Sequence, residues 1–531
     1  MRIGQRKKLK APRRLCAGLI PALAVMLAVS ACSPGTAGND ADRAGSLLPS
    51  GTGVPHVANL PRTELNLYIP GSFQDDQALV AQAINDRLLE KINCTLNIKI
   101  TDWNLWASKY PILLSSGEPI DLMFSASYFG YLQEVAKNSF LPLDALMAEF
   151  GQDIPGVMLD GYLEAARVKG KLYAIPVNKD TGQGWGIVAN KEMADAAGIS
   201  LNGVTVLEDL EPILKKAKES FPDEVIPLFL SSDLSMGQIS GSTQASAMIG
   251  LKDRSRFVQL ESGLYFDMQE MMTLPMYRIP EFADQCRLVR SWFKAGYIND
   301  DVTTTQATSR EAMSQGKAFI HIQAQSPIHL AQWENETGKE LLSVELVSSV
   351  KETQSMTGSL VVLPRGCHDP QRAMMLINLF WTDRTLKNLF TWGIEDRHYV
   401  RDHDNVIKLP DGVKTAADTG YNPGNFWHFG NAYLLDVWSN ENPKKWELLR
   451  AYCDDMAKSP LLGFSFDSTP IRQELAAHAN VLMEMYPMLI NGVLDTDSLL
   501  ARMDEADREA GVDKICTEIT RQVKLWLSER E

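Results

Sequence analysis

The sequence predicts an α/β protein of two lobes, the first built on a doubly wound parallel sheet. Three observations predict it. Strand and helix patterns alternate over Glu64–Phe124, about 470 residues follow the N-terminal segment, which is too many for one ordinary core, and no later apolar run reaches membrane-spanning length.

The elements follow in order. Glu64–Ile69 reads as a short strand, and Asp75–Ile92 places Leu79, Val80, Ala83, Ile84, Leu88 and Ile92 at helical spacing. Leu96, Ile98 and Ile100 then alternate with Asn97, Lys99 and Thr101, the pattern of a half-buried strand. Trp103–Ser115 reads as a second helix stopped by Gly117 with Pro119 beyond it, and Asp121–Phe124 as a third strand. Parallel strands joined by right-handed helical crossovers bind ligands in the crevice at their carboxyl ends.

The segments just past those ends are Pro70–Phe73, Thr101–Trp103 and Ser125–Tyr128, and Trp106 lies one helical turn after Trp103. Pyranose rings have apolar C–H faces and hydroxyl edges, so aromatic plates beside a few hydrogen-bonding groups suit them. Trp103 and Trp106 fit two roles: plates for a ligand, or core side chains that hold the helix on its sheet.

Further on, Lys169–Pro176 reads as a hairpin followed by a strand. Val177–Gly186 carries Gly182, Gly184 and Gly186 around Trp185, as a chain that must swing would require. Ile187–Ala189 and Lys191–Ala197 then open a new unit with a strand and a helix. The tail from Arg472 to Glu531 reads helical, with Leu475, Ala476, Val481, Leu482 and Met485, and later Ile515, Ile519, Val523, Leu525 and Trp526.

The N-terminus has the order of an export signal. Seven basic residues and no acid fall within the first fourteen, and the apolar stretch Leu15–Val29 is too short for a spanning helix. Val29-Ser30-Ala31-Cys32 resembles the lipobox of bacterial lipoproteins, which implies cleavage before Cys32 and acylation of its thiol, palmitate included. Two or more acyl chains anchor stably where one is marginal. The Ser-, Gly- and Pro-rich segment from Cys32 to Pro61 buries too little apolar surface to order itself and reads as a flexible tether about 30 Å long.

Composition excludes some classes. The formal charge is −14, and removing the seven basic residues of the leader leaves 45 basic against 66 acidic, so nucleic acid is not an expected partner. Cys94, Cys286, Cys367, Cys453 and Cys516 are far apart and read as buried thiols. The eight His lack metal-ligand spacing, and neither metal nor cofactor is expected.

For hydrolysis, Asp75-Asp76 and Glu395-Asp396 are adjacent pairs rather than carboxylates held across a cleft. Gly463-Phe-Ser-Phe-Asp467 starts like a nucleophile elbow but lacks its closing glycine. An adhesion or scaffold protein docking a partner on the helical tail is the other alternative.

Leu67–Gly71, Asp121–Ser127, Leu141–Asp144, Gly170–Pro176 and Asn190-Lys191, in this order, resemble bacterial extracellular solute-binding proteins of the maltodextrin or oligosaccharide type, the receptors of ABC importers. Gln315–Phe319 resembles that group's crossing back between lobes. Gly393–Tyr399, Tyr421–Asn431 and the tail from Phe466 are similar to a lipoprotein subgroup with an extra C-terminal domain of unassigned role.

The resemblance implies a two-lobed periplasmic-binding-protein fold (type II), with doubly wound sheets, flanking helices, a ligand cleft between lobes and a helical C-terminal extension. The expected divisions are 1–31 signal, 32–61 tether, 62–180 and 321–395 first lobe, 181–320 and 396–465 second lobe, and 466–531 C-terminal domain. It further implies a monomeric, non-enzymatic receptor on the outer or periplasmic side of the cell membrane, which closes on an oligosaccharide and delivers it to permease subunits.

By the same resemblance, the positions where relatives contact sugar correspond to Ser72, Phe73, Ser125, Tyr128, the hinge from Asn178 through Lys179 to Asp180, and Trp427 in the second lobe. Ser125 stands where sugar-binding relatives often carry Trp. Trp185 and Trp427 are expected as platforms beside Trp103, and Lys179 and Asp180 as polar contacts or an interlobe latch.

Overall fold

The computed structural model describes residues 60–182, 184–222, 225–230, 255–261 and 263–530. The leader, Cys32 and nearly all of the tether lie outside the described residues. Among the described residues no helix is long and apolar enough to cross a membrane.

The first lobe begins as the alternation predicts: β1 (Thr63–Pro70), α1 (Gln77–Ile92), β2 (Cys94–Thr101), α2 (Trp103–Ser115) and β3 (Leu122–Ser125). α1 buries Val80, Ile84, Leu88 and Ile92, one residue per turn, and stops at Asn93 in the left-handed conformation, whose N–H reaches the orphan carbonyls of Leu88 and Leu89. β1 pairs in parallel with β2 from Thr63–Cys94 to Pro70–Thr101, and in parallel with β3 at Leu67–Leu122. The sheet order is β2, β1, β3, Leu360–Val362, Ala174–Pro176, with antiparallel pairing of the last two strands to their neighbours.

A second mixed sheet has the order Leu341–Val347, Gly184–Asn190, Ala318–Gln325, Ile226–Leu228. Here two expectations are corrected. The chain does not return to the first lobe at residue 321: Ala318–Gln325 pairs with the centre of the second sheet from Ile320–Ala189 to Gln325–Gly184, and the return follows Val347. The glycines near Trp185 also serve packing rather than swing. Gly184 and Gly186 lie inside a fully buried strand, and a Cβ on Gly186 would collide with the Val344 carbonyl. Only Gly182, at φ +68°, requires a glycine conformation before that strand.

Three segments join the lobes: Pro176 to Gly184, Val347 to Leu360, and Met456 to Phe464. The last two pair in parallel at Val350–Ala457 and Lys351–Lys458. In the first, the buried Asn178 side chain accepts from Leu159 N at 3.1 Å and donates to Val157 O at 2.9 Å and Asn431 Oδ1 at 3.0 Å. A buried amide with every arm satisfied pins the crossing to the first lobe.

The segment 396–465 was expected in the second lobe. Instead Tyr421, Phe429, Cys453, Met456 and Leu462 pack into the first core, and Trp427 packs against it. Its aromatic side chains find their apolar partners there, among Phe380, Trp381 and Phe390.

The tail forms helices Arg472–Ile490, Thr496–Ala510 and Val512–Ser528. Leu482, Met485, Tyr486, Leu489, Leu499 and Met503 join the second core. Val512, Ile515, Ile519 and Val523 pack instead with the antiparallel hairpin Phe257–Asp267. Much of the tail's apolar surface is therefore spent inside the molecule. The five cysteines named above are all buried free thiols.

Candidate ligand site

Because β1, β2 and β3 are parallel, their carboxyl ends share one edge. Gly71 N donates to Thr101 O at 2.9 Å and holds the first two exits side by side. Among the described residues three aromatic side chains are exposed: Phe73 at 79%, Trp103 at 39% and Tyr128 at 57%. They follow β1, β2 and β3 respectively. Burial is the default for large apolar rings, so three exposed ones on a single sheet edge call for a ligand.

Trp103 and Tyr128 are each held by a local device. Ser72 and Phe73 stand exposed in the loop after β1. Asp102 caps α2, its carboxylate accepting from Asn104 N at 2.9 Å, and so fixes Trp103 as the first helical residue. Tyr128 sits in a single helical turn, Ser127–Phe129, closed by Gly130 at φ +81°, and Ser127 N is tied to Thr357 O at 2.9 Å.

Behind Trp103 the packing is aromatic. Its ring lies 5.4 Å from Trp427, edge on, and 5.7 Å from His428 with only 7° between planes. Phe124 and Phe129 close the cluster at 6.3 and 5.9 Å. The loop carrying Trp427 and His428 is pinned from below by buried Lys387, whose ammonium donates to Phe426 O at 2.9 Å and Phe429 O at 2.7 Å. Burial pushes the Lys387 amine down to about 7. Burial, followed by the Lys387 charge, pushes His428 down to about 3, so its imidazole is neutral at physiological pH.

The remaining expected contacts fall elsewhere. Trp106 is fully buried, 6.1 Å from Tyr110 and 6.3 Å from Phe124: one turn into α2 a side chain lies over the sheet rather than beyond its edge. Ser125 is also buried, its hydroxyl 2.7 Å from that of Tyr110, because it is still a ladder residue paired with Leu360. Trp185 belongs to the second core. Lys179 and Asp180 are half-buried at the first crossing, where Lys179 Nζ donates to Asp180 O at 3.2 Å and the Lys179 carbonyl accepts from Tyr162 OH at 2.5 Å.

Sequence reasoning missed the surface that continues from Tyr128. A groove of about 1020 Å³ runs from Ser127 and Tyr128 past the helix Tyr131–Ala136, the strand Phe257–Glu261 and the crossing turn Glu352–Gly358 to residues 459–475. The available signal was Phe464-Ser-Phe466, aromatics in a polar stretch at the start of the tail.

One carboxylate of each acidic pair weighed for hydrolysis is held in an ion pair. Asp76 bonds Arg397 at 2.8 Å and His398 at 3.0 Å, and the Arg397 hydrogen bond, then that of His398, holds its carboxyl below the usual range. Glu395 pairs with Arg401 at 3.0 Å. Among the described residues no group of His, Cys, Asp and Glu could hold a metal ion.

Two lobes bridged by three crossings, with ligand-sized surfaces at the strand ends, define a solute-binding protein of the type II periplasmic fold. The family described as bacterial extracellular solute-binding protein matches residues 93–395, more than half of the chain, and this protein belongs to it. Residues 460–528 match a domain of unknown function, DUF3502.

A carbohydrate ABC transporter substrate-binding protein of Streptococcus pneumoniae serotype 4 is 24% identical over 479 residues, 88% of this chain and 91% of the relative. The fold is similar to the N-glycan transport solute binding protein NgtS of S. pneumoniae, at TM-score 0.72 and 22% identity over 88% of this chain and 100% of that one. An HMO binding, ABC-transporter associated solute binding protein of Bifidobacterium longum infantis is similar at TM-score 0.63 and 14% identity, over 88% of this chain and 99% of that one.

Proposed function

We propose that this protein is the lipid-anchored extracellular receptor of an ABC importer, which captures an oligosaccharide by lobe closure and presents it to a permease. The observation that carries the reading is the row of exposed Phe73, Trp103 and Tyr128 along one sheet edge. Aromatic plates recognise the apolar faces of sugar rings, and the hydroxyls of Ser72 and Ser127 supply hydrogen bonds at the same edge. The S. pneumoniae relative is a carbohydrate substrate-binding protein, and NgtS has been solved with Man1GlcNAc and Man5GlcNAc, which supports a glycan ligand.

Binding becomes signalling through closure. A ligand that touches both lobes only in the closed form shifts the equilibrium by its differential affinity, and a swing from about 1:99 to 99:1 needs roughly 5.5 kcal/mol. Stacked rings and hydrogen bonds on two faces are of that order. Lys179 and Asp180, half-buried at the first crossing, would serve as polar contacts or as the latch between lobes. Acylated Cys32 and the tether keep the receptor within reach of the permease.

The test is a thermal-shift series with Man1GlcNAc, Man5GlcNAc and a panel of other neutral oligosaccharides. A ligand at a hundred times its dissociation constant adds about 2.7 kcal/mol, or roughly 2–4 °C for a large domain. Solution scattering should show compaction with the same glycan. Flat melting curves across the panel would sink the sugar reading, and incorporation of labelled palmitate into a Cys32→Ser chain would sink the anchor.

A further inference from the structure

The C-terminal domain forms one wall of the groove. The groove that starts at Tyr128 is bounded on one side by Gln133 of the first lobe and on the other by Ser465, Ser468 and Arg472, which lie within the DUF3502 match. Its volume of about 1020 Å³ lies just above the range of roughly 300–1,000 Å³ usual for small-molecule sites, more than a single sugar ring needs. Its chemistry is that of a polyhydroxyl ligand: serine, threonine and glutamine side chains alternate with Tyr128, Leu260 and Phe464.

Few charges face this groove. They are three: Lys137, neutralised by Glu134 at 2.7 Å, the half-buried Glu352 of the crossing turn, and Arg472, which is exposed at the start of its helix and, among the described residues, has no ion-pair partner. Two hydrogen bonds from side-chain amides span the walls: Gln133 Nε2 donates to Ser468 Oγ at 3.2 Å, and Gln354 Nε2 donates to the Leu260 carbonyl. Both are bonds that a sugar hydroxyl can replace without leaving a buried group unpaired.

We propose that DUF3502 supplies the outer subsites of an extended glycan groove. The first rings lie on the Phe73–Trp103–Tyr128 edge, and further rings of a neutral oligosaccharide run past Tyr128 between Gln133 and Gln354 to Ser465 and Arg472. The proposal rests on the sugar-binding reading above and adds to it a length requirement set by the extra domain.

The experiment measures dissociation constants of Man1GlcNAc and Man5GlcNAc by calorimetry, using the full chain in mild detergent, for wild type, Trp103→Ala, Arg472→Ala and Ser465→Trp. Ser465 and Arg472 are exposed, so neither substitution should disturb the core. The expected result is Man5GlcNAc binding tighter than Man1GlcNAc in wild type. Ser465→Trp should then weaken the longer glycan at least tenfold and Arg472→Ala several-fold, both leaving the shorter one within twofold. Trp103→Ala should weaken both.

If the two outer variants bind Man5GlcNAc as wild type does while Trp103→Ala weakens both glycans, the groove is not a subsite and the sugar reading survives. Equal wild-type affinity for the two lengths overturns the proposal in the same way. If wild type binds neither glycan, the sugar reading fails and the proposal goes with it.

Discussion

Trp103 and Trp106 stand one turn apart on the same helix and yet belong to two regions of the molecule. Trp103 projects past the sheet edge beside Phe73 and Tyr128; Trp106 is sealed over the sheet against Tyr110 and Phe124. Residue type and helical spacing are shared, so neither decides the role. Distance from the end of the strand does: the edge offers surface to a ligand, and a single turn inward the same ring becomes core. The largest effect should therefore come from Trp106→Ala, which empties a fully buried site and should cost about 3–5 kcal/mol in denaturant unfolding. The folded fraction should keep its glycan affinity.

Trp103→Ala should behave in the opposite way. With its ring partly exposed, the loss in stability should stay near 1 kcal/mol, while glycan affinity should drop about ten- to a hundredfold, or 1.4–2.8 kcal/mol, in titration calorimetry. Matching losses in both variants would dissolve the distinction between edge and interior.

A pH experiment sharpens the same boundary. His428 is stacked behind Trp103 and buried, with both ring nitrogens unpartnered among the described residues and its protonation pushed down to about 3. The native state thus binds fewer protons than the unfolded chain between about pH 3 and 6.5. The stability of the neutral ring is fully present above 6.5 and is lost as pH falls toward 3. Between pH 7.5 and 5 this amounts to about 2 kcal/mol. His428→Phe, which keeps a flat ring under Trp103, should flatten that slope in denaturant titrations. Buried His321, pushed down to about 4 chiefly by burial, would leave a residual slope of the same sign.

What the sequence made legible follows from range. The strand and helix alternation of Glu64–Phe124, the Asp102–Trp103 helix start and the helical tail are written in spacings of a few residues, and the fold repeats them. The boundary at residue 321, which cut through the strand Ala318–Gln325, failed because a buried strand is one apolar run whichever sheet receives it. Trp427 was misplaced because its neighbours, Trp103 and Phe124, lie some 300 residues earlier. The groove was invisible for the same reason: Gln133 and Ser468 are separated by 335 residues. The glycines around Trp185 misled differently, since a close strand approach and a hinge select the same residue.

The smallest predicted effect tests whether the edge is preorganised or merely exposed. Asp102 is the residue between β2 and Trp103, and its carboxylate holds Asn104 N at 2.9 Å. Asp102→Ala removes that acceptor and should cost about 1 kcal/mol of stability, the usual worth of an N-cap. Because Trp103 is the first residue of the turn being capped, fraying reaches its backbone before any other. Glycan affinity should then fall several-fold with the protein still folded, and Asp102→Asn, which caps equally well without the charge, should restore both quantities. Restoration by Asn would show that the cap acts by fixing the tryptophan; affinity lost in Asn as well as Ala would mean that the carboxylate itself meets the ligand.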